Sequence, residues 1–158
     1  MQRNSSLIYI TILVGLILQI IPMPRQIDFY RPDWLLMILC YWSMALPNRV
    51  SVGIAAICGF ILDVLFGTAL GVHSFALAIP VFIVGANYQR IRNQSMMQQA
   101  FVMFVLSTVY HLTIYWLQYL LVNTEFRWAF FYPTITTIIL WPWLFWFLRR
   151  IRRRFRVS

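Results

Sequence analysis

A single carboxylate, Asp63, lies inside the otherwise apolar stretch GFILDVLFGTALG at residues 59–71, with Gly59 and Gly67 four residues to either side and Gly71 four further on. An acid in such a run needs a compensating partner, and the supply is small: the chain holds four acids, two histidines and 13 basic residues, all of them arginine. His73 follows ten residues later. A second polar feature, His111, Tyr115 and Gln118, falls at i, i+4, i+7 and forms a seam on one helical face, which is expected to face other helices. No nucleophile, base and orienting group share a catalytic spacing. Cys40 and Cys58 sit in apolar segments without motif spacing, so neither a disulfide framework nor a metal site is indicated, and no cofactor is expected. The chemistry on offer is charge compensation and hydrogen bonding inside a membrane.

The elements that must position these groups are apolar helices. The chain has 158 residues, 61% hydrophobic and 11% charged, against roughly 45–50% and about 25% in soluble domains. Its apolar runs are continuous, whereas a membrane barrel shows segments of alternating polarity. Helices satisfy their own backbone groups in lipid, so the expected fold is an all-α, polytopic helical bundle, one integral-membrane domain over residues 1–158. Six spans are expected, at about 7–21, 34–46, 51–66, 72–88, 99–122 and 130–148. The second has 13 residues, about 20 Å of helix against a hydrocarbon core of roughly 30 Å. It must thin the bilayer or begin earlier, near residues 30–33, where Pro32 and Asp33 suit a first turn. The first run follows one arginine, like a signal peptide, but no small-x-small cleavage site follows it, so it reads as a retained helix.

Arginine bias sets the expected orientation. With the N-terminus inside, Arg3, Arg49, Arg90, Arg92 and the tail arginines Arg149, Arg150, Arg152, Arg153, Arg154 and Arg156 are cytoplasmic, while Arg25, Arg31 and Arg127 are outside. Ten against three places both termini in the cytoplasm. The net charge of +9 is gathered at segment ends, which points to anionic phospholipid rather than nucleic acid as partner. The tail at 149–158 either bends onto the inner leaflet, ends the last span as a stop-transfer anchor, or docks a cytoplasmic protein. Trp141, Pro142, Trp143 and Trp146 before it resemble an interfacial aromatic belt.

In this topology Asp63 lies one turn from the outer end of the third span, where an ionised acid costs less than at the bilayer centre but faces the negative end of its own helix dipole. Two compatible readings follow. Gln19, Asp63, His73 and Gln118 form a polar layer, with His73 or an arginine from the outer loops as the partner of the acid; or Asp63 braces the GTALG turn through the backbone donors of residues 67–69. Gly59 and Gly67 let another helix approach closely, or Gly67 and Gly71 serve the turn.

The segments RPDWLLMILCYWSMALPNRVSVG (31–53), GFILDVLFGTALGV (59–72) and LWPW (140–143) before a basic tail resemble the MreD family of rod shape-determining membrane proteins, over essentially the whole chain. The family signature falls on Arg31, Pro32, Trp34, Pro47, Arg49, Gly59, Asp63, Gly67 and Gly71. The resemblance implies a non-enzymatic subunit of the cell-elongation (Rod) machinery in the bacterial inner membrane. It also implies partnership with MreC and, directly or through it, with MreB, RodA and the elongation transpeptidase. The implied fold is like that of the substrate-binding S components of vitamin transporters. A small-molecule-binding transporter component is the competing expectation, and few polar residues are available to line its pocket.

Overall fold

The computed structural model describes residues 5–157; Arg3, counted above with the cytoplasmic set, lies outside them. Helices account for the regular structure, in the order α1 (Ser5–Ile20), α2 (Arg25–Asp28), α3 (Trp34–Ala45), α4 (Val52–Phe66), α5 (Val72–Ala86), α6 (Tyr88–Arg92), α7 (Met96–Val122) and, after a 3-10 turn at Trp128–Phe131, α8 (Tyr132–Arg154). No strand occurs among the described residues. Local chemistry sets several ends. Ser95 and Gln98 make a reciprocal capping box that starts α7, satisfying amides that an opening turn leaves orphaned. Gly67, left-handed at φ 67°, ends α4, a conformation glycine adopts without a Cβ penalty.

Five helices form an arc in which α1 packs on α4, α4 on α5, α5 on α7 and α7 on α8, with α3 inside it against α1, α5, α6 and α8. The arc is open between α1 and α8, where an apolar groove of about 500 Å³ runs over Trp34 and Ile38. Eleven of the twelve residues of α3 are buried. That explains its length. A helix enclosed by protein on nearly every side has no hydrocarbon thickness to match, so α3 needs neither a thinned bilayer nor an earlier start. The helix begins at Trp34, not at residues 30–33; the Asp33 carbonyl accepts from the Met37 N–H, but its side chain makes no cap hydrogen bond.

Two helical stretches, Met96–Val122 and Trp128–Arg154, are long and apolar enough to cross a membrane, while α1, α3, α4 and α5 are shorter apolar helices. Large apolar side chains cover much of the outside, including Phe75, Phe82, Phe101, Trp116 and Ile139. The expected aromatic belt divides: Trp143 and Trp146 are exposed, but Trp141 turns inward and packs on Phe145. The tail does not bend away from the last span. α8 runs unbroken through Pro142 to Arg154, and arginines in its last turn complement the negative end of the helix dipole.

Candidate functional site

The turn between α4 and α5 is built around Asp63, which is fully buried. Its Oδ1 accepts from Thr68 Oγ1 at 2.8 Å and from the His73 backbone N–H at 3.1 Å, and lies 2.7 Å from His73 Nδ1. Its Oδ2 accepts from the Gly71 N–H at 2.9 Å. Gly71, at φ 101°, occupies the N-cap position of α5 and has no side chain to cap with. The carboxylate from α4 supplies the missing cap. This resolves the awkward placement of an acid near the C-terminus of its own helix: the N-terminal amides of the next helix, with their partial positive charge, and the His73 ring meet it. The two readings of Asp63, partner of His73 and brace of a turn, describe one arrangement: the Gly67 and Thr68 amides donate to the Asp63 backbone carbonyl, while its carboxylate reaches further, to the Gly71 and His73 amides.

Gly59 makes that arrangement possible. A Cβ built at residue 59 would fall 2.5 Å from the carbonyl carbon and oxygen of His73 and from Ser74 Cα. Ser74 Oγ adds a bond to the Ala56 carbonyl at 2.9 Å. The close approach is therefore to a helix of the same chain. Asp63→Asn keeps the shape but replaces one acceptor oxygen by an amide that cannot accept from Gly71 or His73. The variant is expected to lose one or two hydrogen bonds, each about 0.6 kcal/mol and at most ~1.7 in membrane proteins, and to lower the unfolding temperature in detergent measurably; an unchanged midpoint would show the charge to be idle.

A second buried acid completes the pattern. Asp33, 3% exposed, does not use its side chain in the first turn of α3, where its position suggested it would. It lies between α3, α7 and α8, where its Oδ2 is 2.9 Å from His111 Nε2 and accepts from Ser107 Oγ at 2.8 Å. Its backbone N–H donates to Thr137 Oγ1 at 3.2 Å, and Ser107 Oγ lies 3.2 Å from Thr134 Oγ1. Three buried side chains on two helices, Ser107, His111 and Thr137, thus converge on one carboxylate at the start of a third, with Thr134 behind Ser107. Ser107, Thr134 and Thr137 were missed in the sequence. The available signal was spacing: Ser107 and His111 are one turn apart, as are Thr134 and Thr137, each pair inside an apolar helix.

The other signature and layer residues separate. Arg31 donates to the Leu18 and Ile21 carbonyls at 3.3 and 2.7 Å, capping the C-terminus of α1 instead of reaching Asp63. Pro32 is buried before α3, and Trp34 is half-buried on the floor of the α1–α8 groove. Pro47 lies in the α3–α4 connection, where Arg49 Nη1 donates to Ser5 Oγ at 3.0 Å. No hydrogen bond joins Gln19 or Gln118 to the Asp63–His73 pair among the described residues; Gln19 Oε1 is buried without a partner. The His111 seam also divides, since the Tyr115 ring meets Phe126 edge-on and Phe130 at a tilt. At the other end Arg149, Arg150, Arg153 and Arg154 surround a basic concavity with Trp146, and Arg150 lies over the Trp146 ring, 5.2 Å from its centroid. Arg152 and Arg156 belong to the same basic end.

Each buried pair offers a carboxylate and an imidazole, and among the described residues no three His, Cys, Asp or Glu side chains come together to hold a metal ion. Ser107 and His111 both bond to Asp33 rather than to each other, so they do not form the relay of a hydrolytic triad. The two arrangements tie α4 to the start of α5, and the start of α3 to α7 and α8.

Comparison with known proteins agrees with the motif reading. A family model described as rod shape-determining protein MreD matches residues 2–151. A curated protein of Haemophilus influenzae described as "Rod shape-determining protein MreD" is 31% identical over 161 aligned residues, which cover 99% of each chain. No solved structure matches.

Proposed function

Because the chain belongs to the MreD family of rod shape-determining proteins, we propose that it is a non-enzymatic scaffold subunit of the bacterial cell-elongation machinery, organising lateral peptidoglycan synthesis with MreC as its direct partner. MreB, RodA and the elongation transpeptidase join directly or through MreC, and anionic phospholipids hold the arginine tail. In this reading the chain crosses the inner membrane six times, in an S-component-like bundle with both termini in the cytoplasm. The observation that carries the role in cell shape is the family match over nearly the whole length.

Two features support the finer reading. All four acids, Asp28, Asp33, Asp63 and Glu125, fall toward the end of the bundle where α4 and α7 finish, while Arg49, Arg90, Arg92 and the tail arginines gather at the other; that asymmetry favours a cytoplasmic arginine end. The centre of the bundle is filled by α3, with Met37, Leu39 and Trp42 fully buried. A packed centre favours a scaffold over the transporter component, which needs room for a substrate near the midplane. Depletion in a rod-shaped host is expected to round the cells, and purification from that host to recover MreC. Cells that stay rod-shaped would overturn the elongation role; a retained small ligand with no protein partner would favour transport.

A further inference from the structure

At the end opposite the arginine tail, a cavity of about 270 Å³ opens between α2, α7 and the start of α8, lined by Asp28, Phe29, His111, Arg127, Phe130 and Pro133. Its polar groups are arranged for an anionic ligand. His111 is held at Nε2 by Asp33, and its Nδ1 has no protein partner among the described residues. In its doubly protonated form the ring donates to Asp33 through Nε2 and to a ligand oxygen through Nδ1. Arg127 is exposed and makes no ion pair among the described residues. Its planar fork of donors suits phosphate oxygens. Asp28 lies 3.8 Å from Arg31 and forms no ion pair with Arg127 among the described residues; its carboxylate suits an ammonium or hydroxyl beside the phosphate.

The rest of the cavity fixes the size and setting of the ligand. Its volume is below the ~300–1,000 Å³ of pockets that enclose drug-sized ligands, so a headgroup fits and a whole lipid does not. Phe29, Phe130 and Pro133 give it apolar walls, and Phe126, Trp128 and Tyr132 are exposed around it, a composition that belongs at a membrane interface.

We infer that this cavity binds an organic phosphate, with Arg127 and His111 on the phosphate oxygens and Asp28 beside the adjoining polar group. Two sources supply that chemistry: the headgroup of a phospholipid and a soluble phosphate ester. The inference does not depend on the scaffold role, since it rests on the cavity alone.

The test uses the delipidated full-length chain in a neutral detergent and follows its thermal unfolding midpoint. Added dioleoylphosphatidylglycerol is expected to raise the midpoint and dioleoylglycerol, which lacks the phosphate, is not. Arg127→Gln is expected to weaken the apparent affinity about tenfold, the equivalent of losing a charge-assisted contact, without lowering the midpoint of the lipid-free chain. Arg25→Gln, which removes an exposed arginine at the same end but outside the cavity, is expected to leave the lipid response intact. A shift with glycerol 3-phosphate that shares this dependence on Arg127 assigns the site to a soluble ester; a shift confined to the lipid assigns it to the headgroup. Equal losses in the two arginine variants, a response to dioleoylglycerol, or no response to either phosphate would overturn the proposal.

Discussion

Replacing Asp33 with alanine is expected to destabilise the chain by about 3–5 kcal/mol, the penalty for removing one member of a buried, hydrogen-bonded pair. The size follows from what is left behind. His111 loses the acceptor at 2.9 Å from its Nε2 and Ser107 loses the one at 2.8 Å, while both side chains stay buried. Asp33→Asn keeps one acceptor oxygen and is expected to cost less. The decisive measurement is a double-mutant cycle with His111→Gln, read from unfolding midpoints of the purified chain. Residues in one network couple by about 0.5–3 kcal/mol, so the double variant is expected to be less destabilised than the sum of the singles. Strict additivity would mean that the pair is not a unit. The same variants are expected to fail to restore rod shape in a depleted host, because the start of α3 is tied to α7 and α8 through this one carboxylate.

The contrast between Asp33 and Asp63 shows what a sequence discloses. Asp63 and its partners Thr68, Gly71 and His73 lie within ten residues, across a turn marked by two glycines, so proximity along the chain nearly dictates proximity in space. Span direction then placed His73 at the right depth. Asp33 meets groups 74 to 104 residues away, and nothing local says that a polar residue before a short helix turns inward to α7 instead of capping its own helix. The boundaries of most of the longer helices were legible for a related reason, whereas the short α2 and α6 were not. Apolar runs ended by Pro, Gly or arginine place α1, α3, α4, α5 and α7 within a few residues of the spans read from them. The order in which those helices pack was not. A run of 13 apolar residues looks too short to cross a bilayer, and only the enclosure of α3 by its neighbours shows why it does not have to match one. Depth misled as well as helped: Gln19 and Gln118 fall near the acid in height, yet no hydrogen bond joins either to it.

Gly59→Ala is expected to be the most damaging of the conservative glycine substitutions, although alanine is the better helix former. The added methyl would meet the His73 carbonyl and Ser74 Cα at 2.5 Å, and backbone, unlike the end of a flexible side chain, cannot move aside alone. α5 would have to withdraw from α4, carrying the His73 and Gly71 amides away from Asp63. Overpacking of this kind costs about 1–3 kcal/mol, and the loosened cap adds to it. Two other glycines separate the causes. At Gly53, in the same helix, a Cβ finds only Ser51 Oγ, at 3.6 Å, so alanine there is expected to be neutral or to gain about 0.5–1 kcal/mol of helix propensity. At Gly67 nothing lies within 4 Å but φ is 67°, so alanine pays only for the left-handed backbone, about 1–2 kcal/mol. Unfolding midpoints should therefore fall in the order Gly59→Ala, Gly67→Ala, Gly53→Ala, lowest first, and rod-shape complementation should fail first for Gly59→Ala. If residue 59 tolerates alanine as well as residue 53 does, the α4–α5 contact is not the close backbone approach that lets one carboxylate cap the next helix.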